Sequence, residues 1–409
     1  MPAVQTFVIV GASLAGAKAA ETLRSEGFDG RVVLIGEEPV RPYERPPLSK
    51  DYLRGEKGFD DAAVHPADFY DAQAIELYQS TRATSLDVGA HQVVLSSGER
   101  VGYDRLLLAT GAAPRRLSVP GAELDGVCYL WSIADSDGLR RALEARPQVV
   151  VIGAGWIGAE VAASARQLGA EVAMVELAAV PLERVLGLEV GAIYRDLHAE
   201  HGVDLHFGVG VEAIVGSGGV EGVRLSDGTT LPAQVVVVGV GVGPRVELAQ
   251  AAGLDVDNGV VVDEHLRTSV ADVYAAGDVA NAFHPRYGTS IRLEHWSAAF
   301  NQGPVAARNM VGIPTVYDRT PYFFSDQYDL GMEYRGWAPA FDRVVFRGDP
   351  ASRQFIAFWL HRNRVVAALN ANIWDAGDVI EAMLAAGNPI DPDRLVDLGV
   401  DLGMFAAPG

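Results

Sequence analysis

Gly11-Ala12-Ser13-Leu14-Ala15-Gly16 and Gly153-Ala154-Gly155-Trp156-Ile157-Gly158 are two glycine-rich turns whose first glycines stand 153 − 11 = 142 residues apart. Each follows an apolar run (Phe7-Val8-Ile9-Val10; Val149-Val150-Val151-Ile152) and opens an alanine-rich segment with helical spacing. In such a unit the first glycine makes a tight turn, the second lets the backbone approach a pyrophosphate, and the third packs helix on strand. The helix N-terminus then turns its unpaired N–H groups and positive dipole end toward the diphosphate. A second apolar run follows each predicted helix and closes on an acid, Glu37 or Glu176, placed to accept ribose hydroxyls. Gly11, Ala15 and Gly16 keep the pattern, while Ser13 stands where the second glycine belongs. In the second turn Gly153, Gly155, Ile157 and Gly158 keep it fully. Two such units in one chain imply two bound dinucleotides.

Composition narrows the rest. The 409 residues are 49% hydrophobic, enough for two to three cored domains, and the net charge of −20 argues against binding nucleic acid or an anionic membrane. The longest apolar stretch, residues 235–242, is far short of a membrane span, and no basic, signal-like leader opens the sequence, so a cytoplasmic protein is expected. Cys128 is the only cysteine, which excludes an internal disulfide and a thiolate metal cluster and suggests a small buried residue.

The order of signals predicts an α/β protein: two Rossmann-like dinucleotide-binding domains, one inserted in the other, plus a small α+β C-terminal domain. The expected boundaries are 1–115 with 245–319 for the first nucleotide domain, 116–244 for the second, and 320–409 for the last. Residues 103–111 form a buried strand stopping at Thr110-Gly111, and residues 273–278 end in Gly277-Asp278. By itself Asp278 would read as a helix N-cap. Its place after the second unit, matched by Thr110-Gly111 before it, follows the order of two-dinucleotide flavoproteins.

On these residues the chain resembles the glutathione-reductase fold, and within it the NADH-dependent reductases that feed ferredoxins of oxygenase systems. The resemblance spans essentially the whole chain. Its most specific stretch is Arg41-Pro42-Tyr43-Glu44-Arg45-Pro46-Pro47-Leu48-Ser49-Lys50. Disulfide-using relatives of the fold carry a redox-active cysteine pair in this region; Lys50 here rules out a dithiol relay. The resemblance implies FAD and NADH as cofactors, with Lys50 beside flavin N5 and paired to Glu160, the two being the expected catalytic residues. It places Gly11, Ser13, Ala15, Gly16, Glu37, Arg45, Thr110, Gly111, Asp278 and Trp296 around FAD, with Ala83 and Trp131 as further flavin contacts. Phe324, in an aromatic segment near the flavin, stands where many members have tryptophan. Gly153, Gly155, Ile157, Gly158, Glu160, Glu176, Arg184 and Gly241 are the expected NAD-binding residues.

Glu176 favours NADH, because a carboxylate facing the ribose 2′ position repels a phosphate; Arg184, eight positions on, is the one cation that could upset this. His198, His201 and His206 invite a metal site, but the first two end a helix before Gly202, where imidazoles suit the dipole, so structural roles and no metal are expected. The resemblance implies hydride transfer from NADH and electron delivery to a [2Fe-2S] ferredoxin that supplies a P450 or Rieske-type oxygenase, through a transient complex formed by a monomer or weak homodimer. Alternatives are a redox-sensing NADH/FAD-binding protein similar to apoptosis-inducing factor, and a rubredoxin or quinone reductase.

Overall fold

The computed structural model describes residues 4–406 and resolves them into two compact units. The first comprises the chain up to Arg45, Gly58–Ala113 and Val242–Arg319; the second comprises Pro46–Lys57, Pro114–Gly241 and the chain from Thr320 onward.

The first unit is built on a five-stranded parallel sheet in the order Val273–Ala275, Arg105–Leu108, Thr6–Val10, Arg31–Ile35, Ile75–Tyr78. Its strands are valine- and leucine-rich and buried on both faces, as parallel sheets require. Helices Leu14–Ser25 and Trp296–Met310 pack together, and a small antiparallel sheet carries Ala83–Asp87. Gly11 shows why the turn needs glycine: its φ is +121°, and a Cβ there would lie 2.0 Å from the carbonyl oxygen of Ala109.

The second unit repeats the plan. Its parallel sheet runs Asp204–Phe207, Glu171–Glu176, Gln148–Ile152, Val235–Val238, Val127–Cys128. Gly153 has φ +96°, and a Cβ would meet Gly239 O at 2.4 Å. Cys128 is half-buried on the edge strand rather than fully buried, and desolvation raises its thiol pKa.

From Tyr322 the same unit continues as a five-stranded antiparallel sheet, order Tyr322–Gln327, Leu330–Gly336, Arg364–Ala371, Gln354–His361, Arg343–Asp349. Strand Gln354–His361 is apolar on both faces, and period-two alternation divides it cleanly. Phe355, Ala357 and Trp359 join Leu186, Val190, Tyr194 and Leu197 of the Glu183–Glu200 helix in one core. Ile356, Phe358 and Leu360 join Ile380 and Met383 of the Gly377–Ala386 helix in another. The α+β segment expected at the C-terminus therefore shares a hydrophobic core with a helix of the second nucleotide-type fold. Among the described residues no helix is long and apolar enough to cross a membrane.

The contact between helices Leu14–Ser25 and Trp296–Met310 depends on Gly303, where a Cβ would lie 2.3 Å from Ala15 O. Because that neighbour is backbone, Gly303→Ala should destabilise the fold by about 1–3 kcal/mol. Thermal unfolding should register this as a Tm lower by about 2–4 °C per kcal/mol.

Candidate functional site

In the first unit the expected FAD residues gather at the C-terminal ends of the parallel strands. Ser13 is the N-cap of Leu14–Ser25 but makes no side-chain cap hydrogen bond. Gly16 packs on Gly11, where a Cβ would lie 2.0 Å from Gly11 O, and Ala15 lies against Gly277, whose Cβ would be 3.1 Å from its own. The helix start, with its free first-turn N–H groups, is thus drawn close to the Gly277-Asp278 turn, which Gln302 holds by accepting the Gly277 N–H at 2.8 Å. Small residues at the turn and a helix N-terminus are the chemistry that suits a diphosphate. Loss of water around the Asp278 carboxyl pushes its pKa up to about 7; Arg45 and Arg292 oppose the rise, and Glu294 adds to it. A desolvated carboxyl of this kind suits a polyol hydroxyl.

Glu37 is fixed by two arginines: Arg245 NH2 donates to it at 2.7 Å and Arg82 lies at 3.8 Å. Arg245, which the sequence did not single out, also ties down the Thr110-Gly111 turn. Thr110 Oγ1 donates to the Arg245 carbonyl at 2.8 Å, and the Arg245 N–H donates to Gly111 O at 2.9 Å. Arg45 reaches Glu38 at 3.2 Å and lies over the Tyr43 ring. Ala83 begins its antiparallel strand, and Trp296 opens its helix stacked on Phe300 at 4.7 Å.

The second unit holds the expected NAD and catalytic residues. Gly155 caps Trp156–Gln167, which places Ile157 and Gly158 in the first turn, and a Cβ on Gly158 would be 2.0 Å from Gly153 O. Gly241 adopts φ +93° beyond the neighbouring strand end. Glu176 is held by backbone donors, Ala154 N–H at 2.8 Å and Ala178 N–H at 3.1 Å, which aim it beside the glycine turn while leaving lone pairs for ribose hydroxyls. Arg184 is exposed on the Glu183–Glu200 helix. Trp131 is half-buried just before the Ile133–Leu143 helix, which Ser136 ties to the turn at Leu48 by donating to its carbonyl at 2.8 Å.

Lys50 and Glu160 meet across 110 residues of sequence. Lys50 follows the Pro46–Ser49 turn, and Glu160 sits in the second turn of Trp156–Gln167. Ser164, one turn along the same helix, donates to Ser49 O at 2.7 Å and anchors the excursion. Lys50 Nζ donates to Glu160 Oε2 at 2.7 Å, with both residues buried at 7% and 6% exposure. Ser49 Oγ donates to the same oxygen at 2.5 Å, and Ser325 Oγ donates to Oε1 at 2.7 Å. Lys50 Nζ also stands 6.0 Å from the Phe324 ring centroid. Sequence reasoning found Lys50, Glu160 and Phe324 but missed Ser49 and Ser325, although both border residues already singled out. Burying two charges costs on the order of several kcal/mol each, which offsets much of what their attraction contributes to stability.

The histidines all have protein partners: His198 with Gln327, His201 with Leu197 O, and His206 with Asp204. Among the described residues no three side chains are grouped to hold a metal.

The sequence pattern of the pyridine nucleotide-disulphide oxidoreductases matches residues 5–303, and that of the reductase C-terminal domain matches 322–406. This chain belongs to the pyridine nucleotide-disulphide oxidoreductase family. Within the family it is 40% identical over 406 residues to the 5,5'-dehydrodivanillate O-demethylase ferredoxin reductase subunit of Sphingobium sp., covering 98% of each chain. It is 38% identical over 408 residues to putidaredoxin reductase of Pseudomonas putida, covering 98% of this chain and 97% of that one. A crystal structure of a ferredoxin reductase from Rhodopseudomonas palustris superposes with a TM-score of 0.95 at 40% identity, covering 98% of this chain and 100% of that one. Putidaredoxin reductase in covalent complex with putidaredoxin superposes equally well, at 37% identity and 98% coverage of both chains. The fold class and the family read from the motifs are thereby established. Unlike the disulphide-using members for which the family is named, this one has a single cysteine, Cys128.

Removing one partner of the buried pair leaves the other uncompensated. Glu160→Leu should cost about 3–5 kcal/mol in denaturant unfolding. The double variant Lys50→Met with Glu160→Leu should recover much of that loss, showing that the pair is retained for something other than stability.

Proposed function

We propose that this protein takes electrons from NADH and delivers them to a [2Fe-2S] ferredoxin that serves a P450 or Rieske-type oxygenase. The observation that carries this reading is a buried Lys50–Glu160 pair beside a glycine turn, in a chain whose lone cysteine leaves no thiol relay. Bound FAD supplies the hydride-accepting and single-electron-releasing centre that no side chain here provides.

The remaining work falls to the protein. The Gly11–Gly16 turn and the N-terminus of Leu14–Ser25 bind the FAD diphosphate; Glu37, oriented by Arg245, takes the adenosine ribose; and Asp278 takes the ribitol. The Gly153–Gly158 turn with Gly241 binds the NADH diphosphate, and Glu176 accepts the ribose hydroxyls. With the cofactors bound, Glu160 would fix Lys50 Nζ and orient the nicotinamide carboxamide, and Lys50 would supply the ammonium that the resemblance sets beside flavin N5. The docked ferredoxin then accepts electrons one at a time, with the reductase working in the cytoplasm as a monomer or weak homodimer.

Lys50→Met should slow reduction of the bound flavin by NADH at least about tenfold in anaerobic stopped-flow, a loss of about 1.4 kcal/mol of transition-state stabilisation. Unchanged rates of flavin reduction and of ferredoxin reduction would remove Lys50 from the mechanism. Rapid anaerobic turnover with purified [2Fe-2S] ferredoxins supports the reductase reading; a long-lived charge-transfer complex with redox-dependent dimerisation would instead mark a sensor.

Glu176 sets the second expectation. With its carboxylate held toward the ribose, kcat/KM for NADH should exceed that for NADPH at least about tenfold, about 1.4 kcal/mol. A ratio near unity, or inverted, would overturn the assignment.

A further inference from the structure

Behind Glu160 runs a line of buried polar side chains that the hydride step does not use. Tyr328 O–H lies 3.4 Å from His198 Nδ1, and His198 Nε2 lies 2.9 Å from Gln327 Oε1. Gln327 Nε2 donates to Ser325 Oγ at 3.3 Å, and Ser325 Oγ donates to Glu160 Oε1 at 2.7 Å. His198, Gln327 and Ser325 are each at most 1% exposed. The line crosses three elements: the Glu183–Glu200 helix, the Tyr322–Gln327 strand and the Trp156–Gln167 helix.

Its direction is forced. An ionised carboxylate only accepts, so the single O–H of Ser325 points at Glu160 and its lone pairs face Gln327. The Gln327 amide therefore turns its NH2 toward Ser325 and its oxygen toward His198. His198 must carry its proton on Nε2 and leave Nδ1 to accept from Tyr328. Burial keeps the ring neutral by lowering its pKa to about 4, so one tautomer holds. Every donor in the line aims inward and ends on one carboxylate oxygen, while Lys50 and Ser49 occupy the other. An amide interrupts the line, which suits it to orienting a charge rather than passing a proton. The elements that carry it also build an apolar core that includes Tyr194, Leu197 and Phe323, and a buried polar group left unpaired there is costly.

We propose that His198 and Gln327 are positioning residues that act through Ser325 to hold the Glu160 carboxylate ionised and in a single orientation. The other ionisable groups facing Glu160 are Lys50, Tyr194 from the Glu183–Glu200 helix and Asp326 beside Ser325; Asp51 and Arg54 in turn face Asp326. His198 is faced by His201, on its own helix, and by Tyr328.

The test is a pH titration of the oxidised holoenzyme by infrared difference spectroscopy, with the protonated-carboxyl band of Glu160 assigned by its loss in Glu160→Gln. Ser325→Ala removes the last donor and should raise the midpoint by about one to two pH units, the equivalent of a hydrogen bond to a charged group. Ser325→Thr keeps the hydroxyl and should restore the wild-type midpoint. Gln327→Glu replaces the amide with an acceptor that draws the Ser325 hydroxyl away from Glu160, so it should raise the midpoint as well. Gln327→Leu, which buries no new charge, should move it the same way by less. An unmoved band in Ser325→Ala would overturn the proposal. A shift in Ser325→Ala with none in either Gln327 variant would reduce His198 and Gln327 to packing residues and overturn their role.

The link to turnover rests on the function proposed above for Glu160: the acid limb of flavin reduction by NADH should move with the infrared midpoint. Should the band move while that limb stays, the donor line stands and the part assigned to Glu160 in the hydride step falls.

Discussion

The buried Glu160 carboxylate, with three protein donors on its two oxygens, is the constraint around which the second unit is arranged. A buried lysine is tolerable only beside a fixed anion, and a buried anion only when its lone pairs are met. Meeting them recruits the Pro46–Ser49 turn through Lys50 and Ser49, and the Tyr322–Gln327 strand through Ser325. Two segments distant in sequence are thereby brought into one unit with the glycine-turn helix that carries Glu160. Ser164, one turn further along, secures the same turn through backbone and so fixes where the lysine can stand.

The two nucleotide-type folds solve the same problem twice with different auxiliaries. Both use a glycine whose missing Cβ lets the turn graze a neighbouring strand end, and both close on a glutamate. Glu176 is steadied by backbone N–H groups, whereas Glu37 is steadied by the guanidiniums of Arg245 and Arg82. Backbone donors leave Glu176 its full charge, while arginines offset that of Glu37.

Much of this was legible because it is local. Strand, turn, helix and acid follow within about thirty residues, so their geometry is set by backbone sterics and period. The α+β character of the C-terminal segment was legible, but the core it shares with Leu186, Val190, Tyr194 and Leu197 was not. An amphipathic helix shows that a face is covered without showing by what. Arg245, 208 residues from Glu37, and Ser325, 165 from Glu160, gave no signal for the same reason. A single serine or arginine is ordinary until its partner is known. His198 was placed at a helix end by the sequence, but its partner Gln327, 129 residues away, gave no signal.

The order of amino acids alone therefore determined two nucleotide cradles, the absence of a thiol pair, and a lysine in place of one, because each depends on neighbours in sequence or on simple composition. Tertiary structure alone decided which donors complete the Glu160 carboxylate beside Lys50 and which tautomer His198 adopts. Those outcomes depend on desolvation and on distances of a few ångströms between segments more than one hundred residues apart, and neither quantity exists until the chain has folded.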